Sequence, residues 1–179
     1  MVQATSHTGS NKSKASAAHD AVALLKADHR KVEGLFETFE KARGAQRKAE
    51  LVKQICTELK IHTTIEEEIF YPACRGKIEE DLLEEAYVEH DAAKTLIAEL
   101  EASAPDEDFY DAKVKVLSEE IEHHVGEEEK RAEGMFAQAK KAGLDMDALG
   151  EEMAARKAEL MQQAKAGAPL PAEPTTFKD

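Results

Sequence analysis

Apolar residues recur along this chain at alternating spacings of three and four, the period of a helix with one buried face. Val22, Leu25, Val32, Phe36 and Phe39 form one such stripe, and Leu51, Ile55, Leu59 and Ile69 a second. Leu83, Ala86, Ala93, Ile97 and Leu100 form a third, and Val114, Leu117 and Ile121 a fourth. The breaks predict helices over about 20–41, ending before "RGAQ", and about 46–73, stopped near Pro72 and Gly76. A third runs over about 79–102, closed by "SAP", and a fourth starts near Asp106, read as an N-cap after Pro105, and continues into the 130s. Four long helices with short connections predict an all-α fold, an antiparallel up-down four-helix bundle over 19–142. An additional C-terminal helix within 143–165 follows Gly143, a natural helix stop. Its stripe of Met146, Leu149, Met153 and Leu160 is expected to pack on the outside of the bundle, with a partner protein as the alternative. Residues 1–18, rich in Ser, Thr, Ala and Lys, read as a disordered tail, with His7 and His19 in or beside it expected to be solvent-exposed. The Pro-rich "AGAPLPAEPTTFKD" at 166–179 reads as a flexible tail.

Each of the four stripes is interrupted near its middle by a residue that does not belong in a core. The first carries His29, the second His62 and Glu66, the third His90, and the fourth His124 and Glu128. Burying such groups without partners costs a few kcal/mol each, and an unpaired carboxylate costs far more. Six of them approach the roughly 5–15 kcal/mol net stability of a whole domain. Metal ions compensate directly, because imidazole nitrogen and carboxylate oxygen are their ligands. Positions i and i+4 share a helix face, so His62 with Glu66, and His124 with Glu128, present nitrogen and oxygen together.

The interruptions also repeat. "DHRKVEGLFETFE" (28–40) aligns with "EHDAAKTLIAELE" (89–101), which superposes His29 on His90. With a slightly longer offset His62 falls on His124, Glu66 on Glu128 and Glu67 on Glu129. The chain therefore reads as two helical hairpins, each supplying one His and one HxxxE, related by a pseudo-twofold axis. Six converging ligands exceed one tetrahedral zinc and suit two metal ions that share bridging carboxylates.

Composition narrows the function. Ala, Glu, Lys and Leu dominate, Trp is absent, and the net charge of −13 argues against nucleic acid or an anionic membrane surface as partner. No stretch approaches the roughly 20 apolar residues of a membrane span, and no apolar run suits a signal peptide. Cys56 and Cys74 stand outside any CxxC pair and read as buried or idle thiols in a reducing compartment, so a cytoplasmic location is expected.

The ordered set "DH" (28–29), "HTTIEEEIFYP" (62–72), "EH" (89–90) and "HHVGEEE" (123–129) resembles the hemerythrin-like, or HHE cation-binding, family over about residues 20–137. The resemblance implies a non-haem di-iron centre of two Fe ions that binds O2 or a related small ligand such as NO or peroxide, for sensing, storage or stress protection. By position it implies the ligands His29, His62, Glu66, His90, His124 and Glu128. The two glutamates would be the bridging carboxylates, completed by an oxo, hydroxo or water bridge and an open coordination site. The chain departs from oxygen-carrying hemerythrins at Lys94, where they place a second third-helix histidine, so the number of open iron positions differs. Tyr87, one turn before His90, is a candidate to reach the site. In the fourth helix no proline follows the motif, and His123 with Glu127, or Glu129 in place of Glu128, are alternative assignments. Thr63, Thr64, Glu67 and Glu68 are candidates to accept from a ligand histidine's second nitrogen. A di-iron enzyme degrading peroxide or handling iron, and a bundle stabilised by a structural metal, are the two alternative functions.

Overall fold

The computed structural model describes residues 20–176. The tail expected over 1–18, with His7 and His19, lies outside the described residues. Helix α1 (Ala21–Lys41) starts at Asp20, whose Oδ1 accepts from the Ala23 N–H at 2.9 Å. That bond satisfies one of the amide donors that a helix start leaves free. Gly44, at φ 82, turns the chain into α2 (Ala45–Ile65). A π-helical turn, Glu66–Phe70, follows without a break, and then the short α3 (Tyr71–Cys74). Pro72 in α3 cannot donate to a carbonyl one α turn back, and the widened turn before it relieves that conflict.

Two further boundaries differ from the pattern in the sequence. Helix α4 (Glu80–Ala102) agrees with it, but α5 (Tyr110–Glu129) starts later than Asp106. Residues 104–107 instead close a turn, with Glu107 N donating to Ala104 O and Ala104 N to Glu107 Oε1, each at 3.0 Å. Phe109 then adopts a left-handed φ of 67, which no α-helix includes. Helix α5 also stops at Glu129 rather than running on. A tight turn over 130–134 leads into α6 (Met135–Lys141), then α7 (Met146–Lys165), capped by Asp145 through its Oδ1 and the Ala148 N–H at 3.0 Å.

Helix α1 packs on α2 and α5, and α4 packs on the same two, which closes a four-helix bundle of alternating direction. Helix α7 lies along α1, α2 and the π turn, with Met153 and Leu160 fully buried. The apolar core has two parts. One, around Phe36, Phe39, Ile55, Leu59, Ile97, Leu117 and Val125, fills one end of the bundle. The other, around Leu25, Ile65, Phe70, Tyr71, Leu83, Phe136 and Met153, fills the opposite end, where α6 and α7 cover it. Cys56 lies in the first and Cys74 in the second, both buried as free thiols. Between the two parts lies a layer of buried polar side chains. Residues 173–176, read above as part of a flexible tail, are held against α4 by hydrogen bonds to Asp91 and Lys94.

Gly134 is dictated by the turn that ends α5. A β-carbon there would stand 2.6 Å from Lys130 N and 2.7 Å from the carbonyl oxygens of Glu127 and Glu128, too close for any side chain. Gly134→Ala is therefore expected to shift the turn beside Glu128 and to destabilise the chain by about 1–3 kcal/mol, read from the denaturant midpoint.

Candidate metal centre

The polar layer contains all six residues picked out by the interrupted stripes. His29, His62, Glu66, His90, His124 and Glu128 are each no more than 5% exposed. Every histidine points its Nε2 inward. His29 Nε2 faces His62 Nε2 at 3.2 Å, and His90 Nε2 faces His124 Nε2 at 3.2 Å. Glu66 Oε2 lies between the pairs, 3.1 Å from His62 Nε2 and 3.4 Å from His90 Nε2. Glu128 Oε2 does the same from the other side, 3.4 Å from His29 Nε2 and 3.8 Å from His124 Nε2. Two sets of donors result, His29, His62, Glu66 and Glu128 in one and Glu66, His90 and His124 in the other, with the atoms of each set within 4.8 Å of one another. His123, by contrast, points outward, with its side chain 65% exposed. Glu129 turns away from the inner set.

Behind each histidine stands a carboxylate. Glu129 Oε1 takes the Nδ1 of His29 at 2.8 Å, Glu67 Oε1 that of His90 at 2.9 Å, and Glu89 Oε2 that of His124 at 2.7 Å. Asp28 Oδ2 is 3.7 Å from His62 Nδ1, and its other oxygen is paired with Lys157 of α7. For His29, His90 and His124 the carboxylate on Nδ1 fixes the tautomer that leaves Nε2 with a lone pair directed inward, whereas His62 Nδ1 is buried without a hydrogen-bond partner. Of these four, Glu67 was a candidate from the sequence, while Thr63 and Thr64 instead donate to the Lys60 carbonyl, and Glu68 pairs with Arg156. All four carry a simple signal: Asp28 and Glu89 immediately precede His29 and His90, and Glu67 and Glu129 immediately follow Glu66 and Glu128.

The tyrosine at the site is Tyr71, not Tyr87. Fully buried, its hydroxyl stands 3.1 Å from His90 Nε2, 3.2 Å from Glu128 Oε1 and 3.4 Å from Glu66 Oε2. The π turn carries it there, because residue 71 is bonded five residues back to the Glu66 carbonyl. Tyr87 packs edge-on against the Tyr71 ring and is one shell further out. Tyr71 stacks on His90, and Phe136 of α6 stacks on His29, so the pseudo-twofold places a phenol on one half and a phenyl on the other. Lys94 is buried but turned from the imidazoles to Glu67, at 2.8 Å.

The electrostatics of the layer call for cations. Burial opposes charge on His62, but the Glu66 carboxylate, with Asp28 and Glu128, outweighs it and pushes the imidazole up to about 10. Burial works against the Glu66 carboxylate too, and the His62 and His90 imidazoles hold it well below its ordinary value. Burial and the Glu128 and Glu66 carboxylates push the Tyr71 phenol well above its own, so it stays neutral and donates. Glu66 Oε1 and Glu128 Oε2 are buried without a hydrogen-bond partner. Imidazole nitrogens bound about 2.1 Å from one ion at near right angles stand about 3 Å apart, which is close to the spacing of both pairs. The donor set, the orphaned oxygens and the negative field all fit metal ions. A group raised in the folded chain contributes stability that is complete below its unfolded value, 6.5 for His62, and is lost as pH rises through about 10. The thermal midpoint of the metal-free chain is expected to fall between pH 7 and 10, and added metal, which takes the deprotonated ring, is expected to abolish that fall.

Comparison with known proteins agrees with this geometry. The Hemerythrin HHE cation binding domain family matches residues 20–136. The crystal structure of a Hemerythrin HHE cation binding domain-containing protein from Mycobacterium kansasii superposes with a TM-score of 0.69 at 25% identity, covering 82% of this chain and 90% of that one. A protein named DNA nickase from Nostoc sp. is 30% identical over 106 residues, which is 59% of this chain but 30% of that protein, so the chain spans under a third of that relative's length. Among the described residues no helix is long and apolar enough to cross a membrane. The chain belongs to the hemerythrin HHE cation-binding family and is a metal-binding, hemerythrin-like helical bundle.

Proposed function

We propose that the chain is a non-haem di-iron protein whose centre binds O2 or a related small ligand, NO or peroxide. His29 and His62 would hold one iron and His90 and His124 the other, with Glu66 and Glu128 shared between them. The observation that carries this reading is that Glu66 belongs to both donor sets, since one carboxylate common to two histidine pairs is the arrangement two adjacent ions require. One donor set offers two histidines and two carboxylates and the other two histidines and one carboxylate, and iron held there would supply the affinity for oxygen-type ligands. A void of about 10 Å³ lies beside all four histidines, walled by Val32, Leu59, Ile121 and Val125. It has room for about one water-sized molecule, and Asp28 and Thr63 complete its lining.

Tyr71 favours peroxide consumption as a second reading. A neutral, buried phenol beside the centre is a hydrogen-bond donor that would steady a peroxide oxygen as its O–O bond is cleaved, whereas reversible ligand binding does not require one. Action on DNA is not part of the proposal, because a net charge of −13 repels phosphate and the similar nickase extends far beyond the shared segment.

Purified protein is expected to hold about two irons per chain, with near-ultraviolet absorption that shifts on adding azide. Zinc alone, or a fully folded chain that takes up no metal, would replace this reading with a structural one. His62→Ala and His124→Ala are each expected to lower iron content to half or less, while His123→Ala keeps both ions; full retention in the first two would refute the assignment. For the second reading, Tyr71→Phe is expected to keep iron and azide binding but to lose about 10²-fold in peroxide turnover. Unchanged turnover would remove the phenol from that chemistry.

A further inference from the structure

The two halves of the centre are supported differently. On the His29 half, Glu129 is held by Lys26 and Arg30, whose side chains are 44% and 57% exposed. On the His90 half, the matching Glu67 is held by Lys94, which is 5% exposed, and by the hydroxyl of Thr175 at 2.8 Å. The C-terminal segment does more than touch Glu67. Lys94 Nζ also donates to the Glu173 carbonyl at 3.2 Å, and lies 3.4 Å from Thr175 Oγ1 and 3.3 Å from Asp91 Oδ1. Asp91, fully buried, accepts the Thr175 N–H at 2.7 Å, the Thr176 N–H at 2.6 Å and the Thr176 hydroxyl at 2.6 Å. These residues lie well beyond the family-matched span of 20–136.

A buried carboxylate that accepts three donors from one short segment is costly to strip of them. Lys94 bridges Asp91 and Glu67, and Glu67 is the carboxylate that hydrogen-bonds the His90 Nδ1. We propose that Glu173–Thr176 act as positioning residues for the His90–His124 half of the centre. By capping Asp91 and tethering Lys94 and Glu67, they fix His90 and make that half the slower of the two to release its ion. This rests on the two-ion reading above and deepens it: the ions are inequivalent, and a segment outside the bundle sets the difference.

The test follows release of ferrous iron from the loaded full-length chain to a chromogenic chelator under nitrogen. The parent is expected to release its ions in two phases. In the double variant Thr175→Val/Thr176→Val the slow phase is expected to quicken about tenfold, the range seen when groups behind a metal ligand are removed, with the fast phase unchanged. Lys26→Met is expected to quicken only the fast phase. In zinc-loaded protein, the His90 Nδ1 proton of the double variant is expected to exchange faster with solvent by NMR, while that of His29 does not. A single release phase in the parent, an unchanged slow phase in the double variant, or equal quickening of both phases would overturn the proposal while leaving a two-ion centre standing. A parent that binds no ions would overturn both.

Discussion

Two carboxylates, Glu66 and Glu128, are buried among four imidazoles at the middle of a helical bundle, and the rest of the structure answers to them. Their layer divides the apolar core into two parts, each of which packs around its own end of the bundle. Buried carboxylates attract positive charge so strongly that the protein must supply either protons on the histidines or metal ions between them. The apolar ends keep water out, which strengthens the attraction. Three outer carboxylates, Glu129, Glu67 and Glu89, then direct the imidazole lone pairs of His29, His90 and His124 inward, and Asp28 stands behind His62.

Secondary structure around this layer is bent to its needs. The π turn after Glu66 adds a residue to the helical period and brings the Tyr71 hydroxyl beneath the carboxylates. The tight turn at Gly134 ends α5 one residue after Glu128 and lets Phe136 fold back over His29. Helix α7 reaches the same layer through Lys157, which pairs with the Asp28 that stands behind His62. Elements outside the four-helix ring thus end in contacts with the polar layer as well as with apolar surface.

Much of this was legible in the sequence. Four amphipathic stripes, each broken by histidine at mid-length, name the bundle and the polar layer, and the repeat separates His124 from His123. The position of Tyr71 was not legible, because i+5 contacts arise only where a helix leaves its 3.6-residue period, and nothing in "EEEIFYP" besides Pro72 announces that. Phe109 in a left-handed conformation is likewise invisible to periodicity. The segment "AEPTT" carries the composition of a free tail, and what holds it is a buried aspartate 84 residues earlier in the chain, to which Thr175 N donates. The outer carboxylates were within reach, since each adjoins an inner residue at matching places in both halves of the repeat.

The repeat has one more consequence, which concerns symmetry. Hairpin one orients its own His62 through Asp28 but lends Glu67 to His90, and hairpin two orients its own His124 through Glu89 but lends Glu129 to His29. Each half is incomplete until it docks on the other, the relation that holds between subunits of an isologous dimer. Two identical hairpins associating in that way would have to place the same aromatic ring over both histidine pairs. Joined in one chain, they are released from that identity, and a phenol can face one histidine pair while a plain phenyl faces the other.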